Sequence, residues 1–204
     1  MKLKAIDLSV FLTLIICIVA TVSFENSCKG IREEILRLHV IANSDEDYDQ
    51  ELKLKVRDAV LMSGKTIFSG SEDIISAQEK ISEHTERLKN SATETINSLG
   101  YDYDVKIELK RSYFPTRVYD NITLPAGYYK AVRIIIGEGK GKNWWCIMFP
   151  PLCLPAATDN RELISEYLNE KEMDIVTSSP KYEVRFWLIE KYYDLKNRYF
   201  VEYQ

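Results

Sequence analysis

Apolar positions change their period several times along the chain, and each change marks an element. From Leu8 to Phe24 they run almost unbroken, interrupted only by Ser and Thr, and these 17 residues sit at the lower limit for a bilayer-spanning helix. Leu36, Leu38, Val40 and Ala42 then alternate with Arg37, His39 and Ile41, the period-two pattern of a strand with one buried face. Asn43-Ser44-Asp45 breaks that run. Leu52, Val56, Ala59 and Val60 recur at helical spacing and predict a helix over 47–63, opened by a capping box between Asp47 and Gln50 and stopped by Gly64. The stripe Ile74, Ala77, Ile81, Leu88, Ala92, Ile96 and Leu99 predicts one longer helix. It opens from the acidic Ser69–Asp73 segment and is stopped by Gly100.

The period then returns to two. Tyr103, Val105, Ile107 and Leu109 alternate as a strand, which Tyr113-Phe114-Pro115-Thr116 interrupts or ends because proline cannot donate to a ladder. Leu124-Pro125-Ala126-Gly127 reads as a turn. The apolar runs Tyr128–Ile136 and Trp144–Phe149 read as antiparallel strands joined by a glycine-rich hairpin loop, Gly137 to Lys142. An amphipathic helix over 160–172 (Leu163, Ile164, Tyr167, Leu168) follows. A last one starts at Ser179-Pro180, with Val184, Trp187, Leu188, Tyr192 and Leu195 as its stripe. Together these predict an α+β fold: a mainly antiparallel sheet with helices packed on one face, plus C-terminal helices. The organisation read from these shifts is a leader or anchor over 1–27, an α+β domain over 28–157 and a helical extension over 158–204.

Lys2 and Lys4 in front of the Leu8–Phe24 run are what secretion machinery reads. Two outcomes stay open, a cleaved signal peptide and an uncleaved anchor in which residues 8–24 hold the chain in a membrane; either places Cys28 onward outside the cytoplasm. Composition adds a folded chain, 46% hydrophobic and 28% charged. A formal net charge of −4 gives no electrostatic case for a nucleic-acid partner.

Candidate chemistry is sparse. Gly137-x-Gly139-x-Gly141-Lys142 has glycines and lysines that suit phosphate, but the P-loop spacing and its following Ser or Thr are missing. The two histidines, His39 and His84, lie 45 positions apart, with no short Cys/His cluster, so no metal or other cofactor is expected. Asp45, Glu46, Asp47 and Asp49 lack the calcium-loop spacing and read as an acidic helix-capping turn. Cys146 and Cys153 bracket two prolines; a bridge between them would stabilise by about 2.5 kcal/mol in the chain-entropy estimate. Two small buried hydrophobes are the equal alternative. A hydrolase reading would set Cys146 or Cys153 as nucleophile against His39 as base. It lacks a nucleophile elbow, and an apolar strand disfavours the thiolate. Trp144 and Trp145 point to opposite faces of their strand, so one serves the core while the other covers the second face.

Several runs resemble a known family. These are Leu36-Arg-Leu-His-Val-Ile-Ala-Asn-Ser-Asp45, Leu52-Lys-Leu-Lys-Val-Arg-Asp58, Tyr113-Phe-Pro-Thr-Arg117, Leu124-Pro-Ala-Gly127, Gly137 to Cys146, and Phe149-Pro-Pro-Leu-Cys153. Over roughly residues 35–154 the chain resembles stage II sporulation protein R. The resemblance implies a protein made in the forespore and exported into the space between forespore and mother cell. There it would activate a membrane-embedded aspartic protease that cleaves the sigma-E precursor. It implies no catalytic residues. The contact surface expected on this reading is Arg117 with Gly137, Gly139, Lys140, Gly141, Lys142, Trp144 and Trp145. The rival classes are the secreted Cys/His hydrolase and a structural envelope protein anchored by residues 8–24.

Overall fold

The computed structural model describes residues 5–152, 160–177, 187, 189–193 and 195. Helix α1 (Ala5–Glu33) leads into strand β1 (Leu36–Ile41), followed by α2 (Asp47–Phe68), α3 (Ile74–Glu83) and α4 (Thr85–Ser98). Strands β2 (Val105–Phe114), β3 (Arg117–Tyr119), β4 (Ile122–Leu124), β5 (Gly127–Ile136) and β6 (Asn143–Phe149) precede α5 (Asn160–Ser165) and α6 (Glu170–Thr177). The architecture is α+β, as the periodicity predicts. Four strands form a sheet in the order β2-β5-β1-β6, and β3 and β4 pair as a separate hairpin. Within the sheet, β2–β5 and β1–β6 are antiparallel while β1–β5 is parallel.

The sheet order corrects the glycine-rich hairpin. Strands β5 and β6 are not neighbours, because β1 lies between them. The reason is visible in β1 itself. All six of its residues are buried, including Arg37 at 0% exposure, so it is the central strand with both faces covered rather than a half-buried one. Gly137–Lys142 is therefore a crossover that passes the end of β1.

One face of the sheet carries Leu38, Val40, Val132, Ile134, Cys146 and Met148 against α2, α3 and α4. The other carries Phe114, Tyr129, Ala131 and Ile147 against the end of α1, the β3–β4 hairpin, α5 and α6. Helix α1 changes character along its length. Its apolar side chains from Leu8 to Val22 are exposed, whereas Phe24, Cys28 and Ile31 are buried in this second core. Arg32, also buried, pairs with Glu25 and donates from Nη1 to the Ala126 carbonyl at 3.3 Å. By length and composition α1 is able to cross a membrane, which is compatible with a signal peptide or an anchor.

Several boundaries differ from the sequence pattern. Helix α2 runs through Gly64 to Phe68, because a buried glycine there leaves room for the Met148 methyl. The Asp47–Gln50 capping box does not form. The N-cap is Glu46 without a side-chain bond, Gln50 Nε2 donates to the Ser44 carbonyl, and Asp49 accepts from Asn43 and Ser44. The single long helix is two, with a reciprocal Asp73–Ser76 capping box and a bend at His84 where the apolar stripe has a gap. Leu99 is exposed rather than part of that stripe. The helix expected over 160–172 also divides, since Asn169 and Glu172 exchange bonds that cap α6. The expected start at Ser179-Pro180, with Val184 and Leu188, lies outside the described residues, while Trp187, Tyr192 and Leu195 are helical and exposed.

Candidate functional site

Alternation along β1 puts Leu38 and Val40 toward α2, and Arg37 and His39 toward the second layer. Arg37 is wholly buried without a carboxylate beside it among the described residues. Its guanidinium lies 4.3 Å from the Phe114 ring centroid, 5.0 Å from Tyr129 and 5.4 Å from Tyr119. Nε donates to the Cys146 carbonyl at 3.0 Å and Nη2 to Tyr119 Oη at 2.6 Å. Ring faces and neutral acceptors thus replace a counter-ion. Burial, with Arg117 adding to it, pushes the Arg37 pKa below its ordinary value.

Register builds a row of polar side chains across the sheet beside it. Glu108 of β2 pairs with Arg133 of β5, Arg133 with His39 of β1, and His39 with Trp145 of β6. Arg133 Nη1 is 3.3 Å from Glu108 Oε2. His39 stacks on Trp145 with centroids 5.8 Å apart, and Arg117 from β3 lies 4.2 Å above the same indole. His39 Nε2 is 2.8 Å from Asn143 Oδ1. Burial lowers the His39 pKa, as do Arg133 and Arg37, against the Asn143 hydrogen bond, which raises it. His39 Nδ1, Arg117 Nε, Arg133 Nε and Trp145 Nε1 are buried without hydrogen-bond partners. Arg117, Arg133 and Trp145 thus present positive charge and N–H groups, whereas the neutral His39 ring, donating from Nε2 to Asn143 Oδ1, keeps Nδ1 as an acceptor.

The glycine crossover is built differently. Gly141 N–H donates to the Ala42 carbonyl and Lys140 N–H to the Asn43 carbonyl. Glu138 N–H is held by Asn43 Oδ1 and Lys142 N–H by Asp45 Oδ1, while Lys53 Nζ donates to the Lys142 carbonyl. A Cβ at Gly141 would meet the Ser44 carbonyl oxygen at 2.1 Å. The backbone that Gly141 admits is the chain's own, at Ser44, whereas Gly137 and Gly139 stand against the Asn43 and Ile135 side chains. Gly137 and Gly139 adopt positive φ, and Lys140 is exposed and paired with Glu138 at 2.6 Å.

The residues expected to form one contact surface consequently divide into three places. Arg117 and Trp145 meet on the second face. Trp144 packs on the first face, with Arg57 4.7 Å from its ring centroid. Gly137, Gly139, Lys140, Gly141 and Lys142 cap the end of β1. Arg37, Arg133 and the use of His39 were missed from sequence. Their signal was charge at alternate positions of otherwise apolar strands. Cys146 pairs in register with Leu38, so it faces away from His39 and the two do not form the couple a hydrolase would use. Cys146 is disulfide-bonded, and Cys153 lies outside the described residues.

Comparison with known proteins follows this geometry. The family described as stage II sporulation protein R matches residues 32–159, which hold every strand and the crossover. The stage II sporulation protein R of Bacillus subtilis (strain 168) is 40% identical over 132 residues, covering 63% of this chain and 58% of that protein. The chain therefore spans less than two thirds of that relative. No solved structure matches. Matched over more than half of its length, from the end of α1 past β6, the chain belongs to the stage II sporulation protein R family.

Proposed function

We propose that this chain is exported from the forespore into the space between forespore and mother cell. There it activates, by contact, the membrane-embedded aspartic protease that processes the sigma-E precursor. The family match over residues 32–159 carries the reading, since it gives a role in sporulation. The apolar N-terminal half of α1 is compatible with the export step, by a cleaved leader or by anchoring through residues 8–24. The disulfide at Cys146 fits an oxidising destination.

Activation by contact requires only that the chain binds the active form of its receptor better than the inactive one. Driving a receptor from about 1% to 99% active takes about a 10⁴-fold preference. Arg117 and Trp145 on one face, and Lys140 and Lys142 on the crossover, are accessible enough to supply such contacts.

The test expresses the chain in the forespore of an endospore former lacking its own activator and follows conversion of the sigma-factor precursor. Mature sigma factor is the expected result; an exported, folded chain that leaves the precursor uncut refutes the proposal. Lys140→Glu with Lys142→Glu in the same strain should weaken conversion, and unchanged conversion removes the crossover from the interface.

A further inference from the structure

The row on the second face holds more positive charge than the chain beside it neutralises. Arg37, Arg117 and Arg133 contribute three guanidiniums, and among the described residues only Glu108 lies within ion-pair distance of any of them. Among the described residues a further carboxylate nearby, Glu190, accepts from the Thr116 backbone N–H at 2.8 Å and forms no ion pair with Arg117. This excess sits in a protein whose net charge is −4. It is also reachable. Arg133, Trp145 and Arg117 are half-buried, and Lys106 and Asn143 in the next row outward are exposed. His39, only 9% exposed, stacks on Trp145 between them and fixes the indole's position.

Spacing decides what kind of anion fits. Arg133 and Trp145 stand two strands apart, about 10 Å, with Arg117 stacked beyond Trp145. One phosphate does not bridge that separation. Carboxylates two residues apart on an extended segment share one face about 7 Å apart, and the long glutamate and arginine side chains close the remaining distance. Guanidinium groups bind carboxylates through paired N–H donors.

We propose that Arg117, Arg133 and Trp145, with His39 stacked between them, form a binding site for the carboxylates of an acidic, extended peptide segment of a partner protein. This deepens the contact reading above by giving its partner a chemistry, and it is measured without reference to sigma-factor processing. Failure of one therefore leaves the other standing.

Calorimetry on the full chain in detergent micelles tests it, with hexaglutamate as the probe, hexaglutamine as the neutral control and inorganic phosphate as the small-anion control at matched ionic strength. Hexaglutamate should bind and hexaglutamine should not. Arg117→Gln with Arg133→Gln should weaken binding at least about tenfold, the effect of losing one charge-assisted contact. Arg57→Gln, on the opposite face, should leave binding unchanged. Should the double variant fail to fold, Arg117→Gln alone carries the test, because that side chain lies on Trp145 at the edge of the second core.

Absence of hexaglutamate binding, equal binding of hexaglutamine, or equal affinity in the arginine variant overturns the proposal. So does phosphate competing as well as the peptide. Glu183→Gln with Glu202→Gln in the full chain tests self-occupancy. Unchanged affinity supports a partner segment, whereas tighter peptide binding assigns the site to the chain's own C-terminal residues and overturns it.

Discussion

Replacing Gly141 by alanine tests how tightly the crossover is pressed onto the rest of the domain. The new Cβ would stand 2.1 Å from the Ser44 carbonyl oxygen and 2.6 Å from its carbon, whereas ordinary contact starts at 3.4 Å. Both obstacles are backbone, so the loop must withdraw by about 1.3 Å. The Gly141 N–H···O=C Ala42 bond at 2.9 Å and the Lys140 N–H···O=C Asn43 bond at 3.1 Å cannot span that withdrawal. Losing two backbone bonds at about 1 kcal/mol each, with residual crowding, gives a destabilisation of about 2–3 kcal/mol. For a chain of this size that lowers Tm by about 4–12 °C. Gly100→Ala is the comparison. It has positive φ and nothing within 4 Å, so its cost is conformational alone, about 1–2 kcal/mol. Thermal unfolding in detergent measures both, and amide exchange separates them: only Gly141→Ala should expose the amides of residues 140 and 141. A Gly141→Ala protein that melts within about 1 °C of the parent, with those amides still protected, refutes the reasoning.

Three further outcomes follow from other sites. Because His39 has a lowered pKa when folded, the unfolded chain takes a proton that the folded chain refuses as pH falls through the ordinary histidine range. Its contribution is present above that range and lost below it, at up to about 1.4 kcal/mol per pH unit. Stability of the parent relative to His39→Gln should therefore decline from about pH 7 to pH 5, and parallel curves would count against a neutral buried imidazole. Gly64→Ala should stabilise by about 0.5 kcal/mol in urea, the gain in helix propensity exceeding a small shift of the flexible Met148 methyl; a clear loss would mean that the contact is rigid. Cys153→Ser should cost about 2.5 kcal/mol and make Cys146 alkylatable on unfolding if the two are bridged; an unchanged thiol count would break the pairing.

Much of the fold was legible because each element carries its own period. The stripe Ile74, Ala77, Ile81, Leu88, Ala92 and Ile96 is buried as spaced, and Gly100 ends it at φ 82. Trp144 and Trp145 divide between the two cores as alternation requires. What local pattern could not carry was the order of strands. Nothing in 127–149 announces that a strand from 36–41 inserts between β5 and β6, since that depends on contacts a hundred residues apart. The β3–β4 hairpin was missed although Asp120-Asn121 offers its two-residue turn, with Asp120 at φ 47. For the candidate site, Arg117 and Trp145 were identified from sequence. Arg37 and Arg133 were not, because their meaning lies in register rather than in neighbours along the chain.

Helix α1 has a mechanical consequence. It runs from its lipid-compatible half into the second core without a break, and Phe24, Cys28 and Ile31 grip the domain only a few residues beyond Val22. If that half stays in a bilayer, the domain rides on a stiff stalk rather than a string. Its height above the lipid is set by roughly 1.5 Å per helical residue, and it cannot swivel freely. A receptor in the same membrane would then meet always the same side of it, whereas clipping the stalk would release a particle that searches in every orientation.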